Sequence, residues 1–245
     1  MLPIGDDNRG RCSFPVVNLG LIALNVLVFL YELSLPSSAL DQFIHRYGAV
    51  PAAIAQGVPA ATNAPIPAWA TIFTAMFIHA GWLHIGGNML FLWIFGDNVE
   101  DAMGHVRYLV FYLLGGVAAV IAQTFIGGPR STDPMIGASG AIAAILAAYL
   151  VLFPRGGVRV LVFLGFFVTV LMVPAIIVIG IWFATQFLSG LASLGVATQQ
   201  SSGVAFWAHV GGFTSGLVPV WVFRDRAAVE RQRLARQGYR AFQRR

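Results

Sequence analysis

Long apolar stretches separated by short polar ones dominate the pattern of this chain. A membrane-crossing helix takes about 20 mostly apolar residues. Candidate stretches lie near 16–35, 82–96 running on toward 103, 108–127, 137–153, 169–190 and 203–223. They predict an all-α fold, a polytopic membrane helix bundle with six transmembrane helices over 16–223. A short segment (1–15) precedes it and an Arg-rich tail (224–245) follows. The fifth span has the weakest boundary. Residues 158–190 form one apolar run, about 50 Å as a straight helix. That is too long for one simple span and too short for two with a turn. Pro174 and the pair Gly156-Gly157 favour a helix that starts after a short membrane-dipping connection. The connection 36–80 is rich in Ala and Pro and is expected to lie on or in the interface. The first stretch has full span length and no small-residue cleavage site, so a cleaved signal is not expected.

Composition agrees. Of the 245 residues 58% are apolar and 10% are charged, against roughly 25% charged in an ordinary soluble domain. So few charges cannot cover a water-soluble protein of this size. The single Cys12 excludes an intrachain disulfide.

Charge adds an orientation. The net charge of +5 is concentrated in the tail, where 224–245 holds eight Arg and two acids. With six spans both termini share one side. That side then carries Arg9, Arg11, Arg107, Arg155, Arg159 and the eight tail arginines, and the other only Arg46 and Arg130. The positive-inside rule places both termini in the cytoplasm. A basic tail beside a membrane suits anionic headgroups or plain topology better than nucleic acid. A solvated topology signal is the expected reading of the tail, with an amphipathic surface helix as the other.

Polar groups inside spans are expensive and are functional suspects. Ser139 lies in Gly137-Ala138-Ser139-Gly140 at the start of span four. Gly on both sides leaves its hydroxyl uncovered and lets another helix approach. The free N–H groups of the helix start suit a developing oxyanion. His209, Gly212 and Gly216 stand at i, i+3, i+7 in span six and share one face. The bland reading is a small-residue helix contact with an incidental His. The functional one brings His209 within hydrogen-bond reach of a nucleophile. His84 and Asn88, i and i+4 on span two, are either an interhelical hydrogen-bond pair or donors aimed at an oxyanion. The histidines lack the spacing and carboxylate company of a metal site. Spans two, four and six run from outside to inside, and all four residues fall near their starts. They therefore share one shallow level beneath the outer face. No acid lies near His209 in the sequence at this depth, so the constellation is a Ser–His dyad.

These stretches together resemble the rhomboid family of intramembrane serine proteases, from about Pro15 to Phe223. The matching residues are His79-Ala80-Gly81-Trp82-Leu83-His84-Ile85-Gly86-Gly87-Asn88, then Phe95-Gly96-Asp97-Asn98-Val99-Glu100 with Gly104, Gly137-Ala138-Ser139-Gly140, and Ala208-His209 with Gly212 and Gly216. Each alone is weak; four in order are specific. The resemblance implies Ser139 as nucleophile and His209 as general base. It implies Asn88, His84 and the Ser139 N–H around the oxyanion. His79 would be a structural hydrogen-bonder and Glu100 an anchor at the inner end of span two. Trp182 and Gln186 look like the fifth helix of the family, which lines a lateral substrate entrance. Two departures stand out. An aromatic residue that some members carry four positions after the serine is Ala143 here. The Trp-Arg pair of some first loops is missing, with Trp69 nearby.

The activity implied is hydrolysis of a peptide bond in or beside a transmembrane segment of a membrane-protein substrate. The uncharged loop around 190–203 is expected to cap a water-filled cavity over the site. No cofactor, metal or ATP motif appears. The lipid bilayer and transmembrane substrates are the partners implied, in a bacterial plasma membrane, and the oligomeric state stays open. Inactive relatives of this fold act as membrane chaperones or trafficking factors, but both dyad residues are present here. A transporter would continue its polar residues to the inner face, and these stop at the outer third.

Overall fold

A computed structural model describes residues 2–59, 64–165, 167–194 and 205–243. The chain is mostly helical: α1 (Val16–Ser34), α2 (Ser37–Tyr47), α3 (Pro51–Gln56), α4 (Ala68–Thr74), α5 (Trp82–Met103), α6 (His105–Ala122), α7 (Ser139–Leu152), α8 (Ala175–Leu194), α9 (Phe206–Leu217), α10 (Val220–Phe223) and α11 (Arg226–Gln243). A 3₁₀ turn follows α4 and a π turn, Gln123–Gly127, prolongs α6. Among the described residues three helices are long and apolar enough to cross a membrane: α1, α6 with its π turn, and α8. A fourth is added if α4 with its 3₁₀ turn and α5, bent by 84° at the break between them, are taken together.

The bundle is built around α7, whose residues Gly140 to Tyr149 are all buried. Small residues make this possible. The sequence Ser139-Gly140-Ala141-Ile142-Ala143-Ala144 presents little bulk, so α5, α6 and α9 close on it from all sides. Dispersion and close backbone approach then hold helices that gain nothing from hiding apolar surface from lipid.

Three expectations need correction. The fold is not all-α. β1 (Leu2–Asp6), β2 (Gly157–Leu164) and β3 (Phe167–Pro174) form an antiparallel sheet in the order β1-β2-β3. Val158, Val160 and Val162 alternate inward along β2, the period of a half-buried strand. Gly165, at φ 64°, supplies the left-handed residue of the hairpin turn. The fifth helix therefore begins at Ala175, not near 169, after this hairpin. The short segment before α1 contributes β1, which pairs with β2.

The tail is the third correction. It is not a solvated signal: α11 docks on the C-terminal end of α5. Gln232 is fully buried, and its Nε2 donates to Asp101 Oδ2 at 2.7 Å and to the Asn98 carbonyl at 3.2 Å. Arg236 donates to Asn98 Oδ1 and its guanidinium covers the Phe153 ring at 4.1 Å. Arg231 pairs with Asp101 at 2.7 Å. Both ends of the chain thus meet at one end of the bundle. There Glu100 accepts N–H bonds from Val17 (3.0 Å) and Asn18 (2.7 Å) at the start of α1. A carboxylate at a helix N-terminus satisfies orphan donors and complements the dipole.

Candidate active site

Ser139 is the first residue of α7. Gly137 lies before it at φ 114°, a conformation that favours glycine, and donates its N–H to the Ala75 carbonyl at 2.8 Å. The first bond of the helix runs from Ile142 N–H to the Ala138 carbonyl at 3.0 Å. The N–H groups of Ser139, Gly140 and Ala141 therefore precede the helix's own bonding pattern.

His209 is the fourth residue of α9. Its Nε2 stands 2.7 Å from Ser139 Oγ. Such proximity requires α7 and α9 to touch along their backbones, and glycine supplies it. A methyl on Gly212 would collide with the Gly140 carbonyl, and one on Gly216 would sit 2.6 Å from the Ala144 carbonyl oxygen. The shared face of His209, Gly212 and Gly216 is thus the α7 contact. Gln123, in the π turn, accepts the Ala208 N–H at 3.1 Å and seats the start of α9.

α5 brings His84 and Asn88 to the same place. A methyl on Gly137 would lie 2.6 Å from His84 Nε2 and 3.6 Å from Asn88 Nδ2, so both nitrogens face the turn before Ser139. His84 Nδ1 accepts the Ala80 N–H at 3.3 Å. In the neutral ring the proton then sits on Nε2, which makes that nitrogen a donor toward the turn. Asn88 Nδ2 is buried and has no hydrogen-bond partner among the described residues. A buried amide donor without an acceptor costs free energy unless a ligand supplies one. His79 is buried, its main-chain N–H donates to the Glu32 carboxylate, and its ring packs edge-on to His84 at 5.0 Å.

Trp182 and Gln186, expected along an entrance, both stand against His209. The Trp182 and His209 rings are 5.8 Å apart. Ala143 is buried near Gly212 on the helix contact, so the aromatic neighbour of His209 comes from α8 instead. Gln186 Oε1 lies 2.6 Å from His209 Nδ1. Much of the loop around 190–203 lies outside the described residues. A cavity of about 30 Å³ opens beside Ser139, lined by Met76, Gly116, Ile136, Gly140 and Ala208.

Three polar residues escaped the sequence reading: Glu32, Gln123 and Thr185. Glu32 had a signal, being the one acid within the first apolar stretch. The other two are also polar side chains inside apolar stretches, 108–127 and 169–190, but what they touch is visible only once the helices are assembled.

Comparison with known proteins adds the lineage. The Rhomboid domain model matches residues 67–226, well over half of the chain. The chain belongs to the rhomboid family. It is similar to Rhomboid-like protein 11, chloroplastic, of Arabidopsis thaliana, 31% identical over 64% of this chain and 53% of that one. It is 29% identical to Rhomboid protein 1, mitochondrial, of Saccharomyces cerevisiae, over 68% of this chain and 44% of that one. It is 33% identical to the Rhomboid protease GluP of Bacillus subtilis, over 56% of this chain and 24% of that one. The matched part is about half the length of the first relative and less of the other two. Family and apolar helices together make this rhomboid an integral membrane protein.

Proposed function

We propose that this rhomboid is an intramembrane serine endopeptidase, cleaving peptide bonds in or near transmembrane segments of membrane-protein substrates. The observation that carries the reading is the 2.7 Å approach of Ser139 Oγ to His209 Nε2. That is the distance a nucleophile and its base need. Ser139 Oγ attacks the scissile carbonyl carbon while its proton passes to His209 Nε2. The carbonyl oxygen becomes an oxyanion that accepts from Asn88 Nδ2, His84 Nε2–H and the Ser139 N–H. Collapse breaks the C–N bond, and the leaving amine takes the proton from His209. Water then gives a proton to His209, attacks the acyl ester and releases the new carboxylate with Ser139 restored. The unpartnered Asn88 amide suits this role, since donors prearranged for the oxyanion need no reorganisation during reaction. The small cavity beside Ser139 suits a small substrate side chain.

The reading includes six spans with both termini cytoplasmic. α7 is 14 residues long, about 21 Å, against a hydrocarbon core of about 30 Å. With its inner end at the cytoplasmic boundary, Ser139 lies about 9 Å beneath the outer face. Residues before α1 and after α10 then serve as a cytoplasmic base. The relatives are chloroplastic and mitochondrial proteins as well as one from Bacillus subtilis, so the comparisons do not favour a bacterial plasma membrane over an organelle membrane. Fractionation of the native cells decides between them.

The test is a gel assay of a model transmembrane substrate with the purified protein and its Ser139→Ala and His209→Ala variants. Cleavage by the wild type, lost in both variants at unchanged helical content, supports the dyad. Equal cleavage by all three sinks it. A wild type that binds substrate and never cleaves it returns the chain to the non-enzymatic branch of the fold.

A further inference from the structure

Hydrogen bonding beyond the dyad runs in one direction. Thr185 Oγ1 donates to the Trp182 carbonyl at 2.7 Å, and that carbonyl can only accept. The Thr185 hydroxyl has then spent its proton, so toward Gln186 it accepts. Gln186 Nε2 stands 3.4 Å from Thr185 Oγ1 and donates to it. This sets which way the Gln186 amide faces: nitrogen toward Thr185, oxygen toward His209. The amide oxygen, 2.6 Å from His209 Nδ1, can only accept, so Nδ1 carries the ring proton. His209 Nε2 is left with its lone pair 2.7 Å from Ser139 Oγ. The chain of donors thus runs Ser139, His209, Gln186, Thr185 and the α8 main chain.

We infer that Gln186, held by Thr185, is the positioning residue that selects the base-competent tautomer of His209. The inference rests on the serine-protease reading above. A Ser–His pair without a third group leaves the imidazole free to place its proton on either nitrogen and to turn about its side-chain bonds. Here the third group is a neutral amide, in the place where soluble serine proteases set a carboxylate. A carboxylate at this half-buried position would gain a partner charge only when the imidazolium forms, whereas an amide needs none in the resting site. His84 on α5 is the one ionisable neighbour acting on His209 among the described residues. Trp182, one turn before Gln186, flanks the same ring at 5.8 Å. Both supports of the base therefore belong to α8, whose buried residues are only Ala175, Ile179 and Gly190. Movement of α8 away from α9 would remove both at once. Entry of a substrate beside α8 and competence of the base are thereby coupled.

The experiment uses the full chain reconstituted in vesicles with a model transmembrane substrate. Gln186→Leu should lower kcat about tenfold to a hundredfold with KM within about twofold, inside the range a positioned base supplies. Gln186→Glu keeps an acceptor and should retain activity. Its carboxylate stabilises the imidazolium, so the acidic limb of kcat/KM should move to higher pH. Thr185→Val should fall between wild type and Gln186→Leu. A Gln186→Leu enzyme with unchanged kcat and pH profile, or with the change confined to KM, overturns the inference. A second readout does not depend on turnover. In ¹⁵N-histidine spectra, the resonance that disappears in His209→Ala should report a protonated Nδ1 in the wild type and a mixture of tautomers in Gln186→Leu. Identical spectra sink the positioning role even where cleavage is normal. A wild type that shows the Nδ1-protonated spectrum but neither cleaves nor reacts with a fluorophosphonate sinks the protease reading instead.

Discussion

Gly212 of α9 lies directly over the main-chain carbonyl of Gly140 in α7, with no room for a methyl between them. One residue before Gly140 is Ser139, and three before Gly212 is His209. The spacing of the two helices at this crossing therefore sets the distance between the proposed nucleophile and base. Gly212→Ala should push α9 outward and break the 2.7 Å contact. Overpacking of this kind costs roughly 1–3 kcal/mol. Cleavage should fall more than a hundredfold at a temperature where thermal unfolding shows the variant still folded. Full activity in a folded Gly212→Ala protein would mean that the crossing does not control the dyad.

Asn88 tests the oxyanion assignment apart from the dyad. Its Nδ2 is buried without a partner among the described residues, so removing it breaks no bond seen there. Asn88→Ala should lower kcat by roughly 10²–10³, the usual cost of one oxyanion donor. KM should change little and stability should hold or rise. A rise in KM at constant kcat would assign Asn88 to substrate binding.

Asp101 ties the base of the bundle together. Its Oδ1 accepts from the Cys12 N–H and from the N–H and hydroxyl of Ser13, while its Oδ2 accepts from Arg231 and Gln232. Asp101→Ala leaves the buried Gln232 amide short of an acceptor, a loss of about 1–3 kcal/mol per stranded donor. A lower midpoint in thermal unfolding, with turnover per folded molecule unchanged, is the expected outcome. An unaltered midpoint would mean that α11 docks without this carboxylate.

Asp6 should give stability a pH dependence. Its carboxylate meets Tyr149 Oη at 2.7 Å and Asn98 Nδ2 at 2.8 Å in a buried setting. Burial first, then Asp97, push its pKa up to about 7, against Tyr149 and Arg236. An acid whose folded pKa exceeds its unfolded value of 3.8 holds its proton more tightly when folded. The contribution is complete below about 4 and is lost as pH rises through about 7. Unfolding midpoints between pH 4 and 8 should decline in the wild type and flatten in Asp6→Asn. Parallel curves for the two proteins would exclude Asp6 as the source.

The four central polar residues were legible in the sequence because a bilayer penalises each of them, and because helical periodicity tells which share a face. Their common level followed from the arginine count, and the structure sets Ser139, His209, His84 and Asn88 around one turn. The strand pair 157–174 was not legible. Its hydropathy equals that of a buried helix, and in β3, where Val168, Val170, Leu171 and Met172 are all exposed, no alternation marks the strand. Its partner β1 lies some 150 residues earlier in the chain. α11 differs from expectation for a related reason: Arg236 looks solvated by composition but is buried once Asn98 and Phe153 meet it, while Arg231 stays exposed and reaches Asp101.

Hydrophobic pattern and charge alone determined the solvent of this protein, the identity of the dyad candidates and which helix faces carry them. Those are properties of single segments, set by length, period and the cost of polarity in lipid. Only the tertiary structure decided that Gln186 rather than an acid supports His209, that Trp182 stands where Ala143 cannot, and that both chain ends close the base. Each of these is a contact between distant segments. It depends on how far helices approach and how they are rotated, which the small residues of α7 and α9 permit and the final packing selects.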